Sequence, residues 1–297
     1  MQIGVNLFDS GRFSEALRRL THCVERLSGD ALRAELPIAL NYLAQLHIAM
    51  GDEAEAEAVL LRALRFEEGE EGQQQTQPRE GSEQGTISGW HAYNNALLAL
   101  ITSRDSTRAR EALRRAADAW VETQQTWLVN LVPIVRNLYV EVLMALGEDT
   151  RLAKQLIEDT LSETEMSGMA RSRIAAYCLR SRIRLQDGDA RDAADDARAA
   201  LAILADRGPM PALRTEEVWY DASRALTAIG EEAEAAALLE QARAEVVRKA
   251  DSIEEPRRRE RFLTAVPLNR ALFPNHRSSG NDDTGTVPEQ GEPQAGE

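Results

Sequence analysis

The sequence predicts an all-α protein, a solenoid of about six antiparallel helix pairs finished by a C-terminal capping segment. Three observations predict it. Small and apolar residues recur at spacings of three and four along most of the chain, as on helices that bury one face. Glycines that end one such pattern and precede the next recur at Gly11, Gly51, Gly147, Gly188 and Gly230. Their separations of 40, 96, 41 and 42 residues set a common period, and the long one holds a further unit whose turn is Ser103-Arg104-Asp105-Ser106. A fixed period of this length marks a solenoid, in which each unit buries its apolar face against its neighbours.

The unit is clearest from Trp219 to Ala242. Trp219, Ala222, Leu226 and Ile229 form one stripe before Gly230; Ala235, Leu238, Leu239 and Ala242 form another after it. Gly230 suits the helix end, and Glu231 and Glu232 start the next helix at its positive pole. Five residues after each turn comes Ala16, Ala56, Ala193 or Ala235, with Ala109 in the glycine-less unit and Leu152 in the fourth. Nine after it come Leu20, Leu60, Leu113, Leu156, Ala197 and Leu239; twelve after it come Cys23, Ala63, Ala116, Ala200 and Ala242.

In these offsets the chain resembles the tetratricopeptide repeat (TPR) family over roughly residues 3 to 245, although that family's usual unit is about 34 residues. The resemblance implies a right-handed superhelix whose first helices line a concave groove, and a role in protein–protein interaction. The long period and the ending Phe262-Leu263-Thr264-Ala265-Val266-Pro267 are similar to helical C-terminal regions of large bacterial signalling proteins. Those include ATP-dependent regulators of the LuxR type and multidomain cyclases and kinases.

In chain order, residues 1–68 hold the first two helix pairs. Met1 falls at about the fifth position of its unit, so the first pair is expected to lack its opening turn. Ile3, Val5, Leu7 and Phe8 are then partly exposed, or covered by material outside this chain. Residues 69–89 are polar and rich in glycine and glutamine, and read as a disordered insertion. Residues 90–245 hold pairs three to six. Residues 246–274 form a capping helix segment in which Phe262, Leu263, Val266, Leu268, Leu272 and Phe273 cover the open end of the last pair. Residues 275–297 read as a disordered acidic tail.

A net charge of −14 argues against nucleic acid or an anionic membrane as partner. Nothing resembles a signal sequence or the run of about 18 apolar residues a membrane span needs. Cys23 and Cys178 are too few and too far apart for a disulfide framework, so a reduced, cytoplasmic setting is expected. His22, His47, His91 and His276 lack metal-ligand spacing, and Asp187-Gly188-Asp189 lacks the rest of a calcium loop. Arg257-Arg258-Arg259-Glu260-Arg261 reads as a solvated helix face. With no phosphate loop, nucleophile elbow or paired acid and base, no catalytic centre, cofactor or metal is expected.

One constellation points to binding. Ten residues before the turn stand Asn41, Asn94 and Asn137, then Cys178 and Tyr220; four residues later come Gln45, Leu98, Glu141, Arg182 and Arg224. Asparagine is a mediocre helix former, so three in one register ask for a reason. By the resemblance they lie on the concave wall. Either they hydrate that wall or bond across neighbouring helices, or they bond the backbone of an extended peptide. In the second case Gln45 and Glu141 extend the row, and Arg182 and Arg224 take a carboxylate. His91 and Tyr220 add shape. The expected function is a non-enzymatic scaffold for a peptide or partner protein. The alternative is an effector-sensing module of a bacterial signalling or transcription regulator whose output domain lies elsewhere.

Overall fold

The computed structural model describes residues 1–29, 33–67, 89–210 and 212–274. The expected insertion, except for Gly89, and the expected acidic tail lie outside the described residues.

Six helix pairs follow one another along the chain. They are α1 (Gln2–Asp9) with α2 (Phe13–Gly29), α3 (Leu36–Met50) with α4 (Glu53–Glu67), and α5 (Gly89–Thr102) with α6 (Ala109–Thr123). Next come α7 (Val132–Leu146) with α8 (Thr150–Ser167), α9 (Ala170–Asp187) with α10 (Ala190–Arg207), and α11 (Thr215–Ala228) with α12 (Glu232–Asp251). Two short helices, α13 (Pro256–Ala265) and α14 (Pro267–Leu272), complete the described chain, and no strand occurs among the described residues. The helices of each pair pack on one another and each pair packs on the one that follows it, as a solenoid requires.

The five turn glycines take φ between +66° and +88°, a left-handed conformation that closes a helix end without a Cβ penalty. Five residues on, Ala16, Ala56 and Ala193 are 0% exposed and Ala235 is 3% exposed. A larger residue there would push the two helices of a pair apart.

The third unit departs from the expected register. Its buried face is Ala112, Ala116 and Ala119, while Ala109 and Leu113 are only half-buried. A single 3₁₀ turn, Ser106–Arg108, precedes α6, capped where the Asp105 carboxylate accepts from the Thr107 backbone N–H at 2.9 Å. That turn displaces the packing face of α6 by three residues. Gly89, expected in the insertion, opens α5 and is buried; a Cβ there would lie 2.8 Å from Thr126 Oγ1.

The C-terminal segment does more than cover the last pair. It returns to the first two. Phe262 of α13 sets its ring against Phe13 of α2, edge to face with centroids 5.6 Å apart. Both belong to one apolar cluster that also takes in Val5, Leu20, Leu40, Val246, Ile253 and Leu272. The Phe13 backbone N–H donates to Ser252 Oγ at 3.0 Å, and Arg18 pairs with Glu254 at 2.7 Å. Asp52, 1% exposed after the Gly51 turn, receives Arg261 and lies 3.8 Å from Arg258. Burial acts to raise the Asp52 pKa, but His47, Arg261 and Arg258 lower it below the ordinary carboxylate range. Gly11 lies so close to α12 that a Cβ would come within 2.8 Å of Lys249 Cγ.

The superhelix therefore closes on itself. Val5, expected to lack a cover from this chain, is 6% exposed inside the shared cluster, and Leu7 and Phe8 pack against it; Ile3 remains 66% exposed.

Candidate functional site

Closure turns the concave wall into a cavity of about 230 Å³. All six first helices contribute to its lining. Phe8 and Asp9 come from α1, Gln45 and Ile48 from α3, and Tyr93, Leu97 and Leu100 from α5. Ile134, Asn137, Leu138 and Glu141 come from α7, Arg171, Cys178 and Arg182 from α9, and Glu216 and Glu217 from α11. Arg104, Arg214, Lys249, Phe13 and Phe262 complete the ring.

The asparagine register does not form one exposed row. Asn41 and Asn94 are 0% exposed and bond to each other, Asn41 Nδ2 donating to Asn94 Oδ1 at 2.9 Å. Gln45 Nε2 donates to Asn41 Oδ1 at 2.6 Å. These two amides bridge α3 and α5 inside the packed wall, so no peptide backbone reaches them. Asn137 is 4% exposed, lines the cavity, and donates from Nδ2 to the Ser172 carbonyl at 2.9 Å.

The remaining expected residues divide. Gln45, Glu141 and Arg182 line the cavity; His91, Tyr220 and Arg224 do not. His91 lies in a separate depression between α5 and α6, its Nδ1 2.6 Å from Glu122 Oε1. Arg224 is exposed, its guanidinium 5.9 Å from the Tyr220 ring centroid. The ring and the guanidinium thus cover one another away from the cavity.

Charged pairs fix one side of the lining. Arg182 donates from Nε to Asp221 at 2.8 Å and from Nη2 to Glu217 at 2.6 Å. Arg214 reaches the other oxygen of Glu217 at 2.5 Å. Burial acts to raise the Glu217 pKa, but Arg214 and Arg182 outweigh it and hold the group at about 2. Lys249 pairs with Glu216 at 2.6 Å, both below one-tenth exposed. Ion pairs so enclosed hold shape firmly, because breaking one strands its partner charge.

Glu141 is different. Among the described residues it has no hydrogen bond or ion pair, and burial, then the Glu217 charge, raise its pKa to about 7 against the pull of Arg182, Arg214 and Arg104. Cys178 is buried, and burial pushes its thiol well above the ordinary value. It is a neutral wall residue rather than a thiolate nucleophile.

The charges from Arg214, Glu216 and Lys249 were missed in the sequence because they belong to no repeat register. Lys249 stands far down the second helix of its pair and meets the cavity beside Glu216 of α11.

The helical repeat superposes on solved structures. A Rap protein in complex with Competence and Sporulation Factor superposes with a TM-score of 0.60 at 12% identity, over 92% of this chain and 73% of that one. BtubC (BKLC) from P. vanneervenii gives a TM-score of 0.52 at 18% identity, over 81% of this chain and 94% of that one. The fold is the TPR-like helical repeat. No protein-family model matches the sequence, nor does any curated protein. No helix among the described residues is long and apolar enough to cross a membrane.

Proposed function

We propose that this TPR-like protein is a non-enzymatic scaffold that takes one end of a short peptide, or of a partner protein, into its inner cavity. The observation that carries the reading is the lining itself: all six first helices turn side chains onto one space of about 230 Å³. Apolar residues of α5 and α7 lie there beside charged pairs already locked in place. Small-molecule sites usually span about 300–1,000 Å³, so this space suits one or two residues rather than a peptide laid along the groove. Locked ion pairs and a neutral thiol favour recognition over chemistry.

A regulatory variant of this reading also has support. Phe13, Lys249 and Phe262 line the cavity and also stand at the junction between the first and last pairs. An occupant that touches them binds the closed form better than an opened one, which is the differential affinity a sensor needs. The Rap protein above was likewise solved with a bound factor.

Selection from a random pentapeptide library against the full chain tests the reading, with mass spectrometry of the retained fraction. Enriched peptides should share features at one end. Ala175→Trp, which fills the cavity from α9, should abolish the enrichment while leaving the melt intact. Enrichment untouched by Ala175→Trp, or no enrichment by the folded protein, would overturn it.

A further inference from the structure

The cations of the cavity lining face carboxylates of the lining itself or of the shell behind it. Each cation in its lining has a carboxylate at hand. Arg104 bonds Glu53, and Arg171 lies near Asp9, although burial outweighs both it and the backbone bond from Ala212 and leaves the Asp9 pKa raised. Arg182 holds Glu217 and Asp221, Arg214 shares Glu217, and Lys249 holds Glu216. Glu141 makes no hydrogen bond or ion pair among the described residues, and Arg182, Arg214 and Arg104 act on it only from farther off.

Four residues before it on the same face of α7 stands Asn137, whose side chain is satisfied on only one side. Only an amide N–H can bond the Ser172 carbonyl, so the orientation of this side chain is fixed. Its Oδ1 is then a buried acceptor with no partner, a costly state that a bound donor relieves. Two acceptors, one of them a carboxylate, thus stand on one helix at the edge of one cavity. Leu97, Leu100, Ile134 and Leu138 line the same space.

We propose that Glu141 and Asn137 form the specificity end of the cavity and seat the primary ammonium of a ligand whose apolar body lies against α5 and α7. This rests on the reading of the cavity as a peptide site. Within it the ammonium is a free N-terminus or a lysine side chain. An ammonium has three donors: one serves the carboxylate, one the amide oxygen, and the third water. A ligand carboxylate gains nothing here, since the arginines are already engaged. Binding needs ionised Glu141, so affinity rises with pH through the group's own titration. The groups facing Glu141 are Arg104, Arg182, Arg214, Glu217 and Tyr93, whose phenol is held above its ordinary pKa, and so neutral, by burial and by Glu141. The arginines stay charged throughout that range, and Glu217 is ionised well below it.

The test is carbon-13 NMR of the full chain with labelled glutamate carboxyls, the Glu141 signal being assigned by its loss in Glu141→Gln. The probes are n-butylammonium, butyrate, 1-butanol and guanidinium. Butylammonium should shift the Glu141 signal saturably and lower its titration midpoint, while butyrate and butanol leave both unchanged. From pH 6 to pH 8 the ionised fraction of a group with pKa about 7 rises roughly tenfold, and butylammonium affinity should follow. Glu141→Gln should weaken butylammonium at least ~10-fold, the loss of a charge-assisted bond, and remove the pH dependence. The pH arm uses the wild-type protein and so stands whether or not the variant folds.

Equal response to butyrate, or ammonium affinity unchanged between pH 6 and 8, overturns the proposal. Guanidinium binding as well as butylammonium overturns the choice of a primary ammonium. Peptides selected equally well with acetylated N-termini and without lysine also overturn it, yet leave the peptide reading standing. Ammonium binding with no peptide selected does the reverse. Where both hold, N-acetylation of selected lysine-free peptides abolishes binding if the seat is for the N-terminus, and not if it is for lysine.

Discussion

Replacing Asn41 and Asn94 by alanine, singly and together, separates a buried brace from a ligand contact. Asn41→Ala removes two hydrogen bonds, to Asn94 at 2.9 Å and from Gln45 at 2.6 Å, and leaves a cavity in a wall with no exposure. Net bonds of about 1 kcal/mol each, plus the cavity, put the cost at about 2–4 kcal/mol. Asn94→Ala strands the Asn41 N–H but also deletes the Asn94 Nδ2, which has no partner. Its cost is therefore lower, about 1–3 kcal/mol. The double variant loses the shared bond only once, so it should fall short of the sum by about 1–2 kcal/mol. Urea denaturation at unchanged slope measures all three. Peptide selection by the folded Asn94→Ala protein should match wild type, since ligand never meets that side chain. Additivity within about 0.5 kcal/mol, or a changed selection profile, would refute the assignment.

Lys249→Met should cost about 3–5 kcal/mol, because it strands Glu216, which is 3% exposed, and adding Glu216→Gln should recover most of the loss in a thermal melt. Glu216→Gln failing to rescue would show that the pair is not the source. Ala235→Leu should cost about 1–3 kcal/mol by overpacking the sixth pair, and a melt equal to wild type would contradict the register there.

The repeat was legible because its turns are made by a residue with a unique backbone allowance. At Gly51 or Gly188 the positive φ that ends the first helix leaves glycine as the residue without penalty, so the period is written directly in the chain. The third unit was misregistered for the converse reason: a 3₁₀ turn capped by Asp105 replaces the glycine and uses three extra residues.

Spacing placed the asparagines on one face of their helices, but it does not say what that face meets. A clue lay in α3 and α5, where eleven of fifteen and eleven of fourteen residues are buried. In helices so largely buried, a polar residue off the cavity face must bond a neighbour. Four residues on, Gln45, Glu141 and Arg182 reach the cavity while Leu98 and Arg224 do not, and at the first position only Asn137 and Cys178 do. The junction between the ends was not legible at all. Phe13 meets Phe262, and Asp52 meets Arg261, through no periodic pattern.

That junction changes how the molecule must come together in time. Helix pairs with their turns are local and form quickly, five of the six guided by a turn glycine. The bond from Phe13 to Ser252 spans 239 residues, and that from Glu254 to Ser14 spans 240. Such contacts require nearly the whole chain to be ordered before they return any stabilisation. The seam is therefore the last interface to form. Once formed, it alters the route of loss as well. An open stack sheds its end units one by one. In a closed one, the first and last pairs are each other's neighbours, and opening any single interface leaves every unit tethered through the other side.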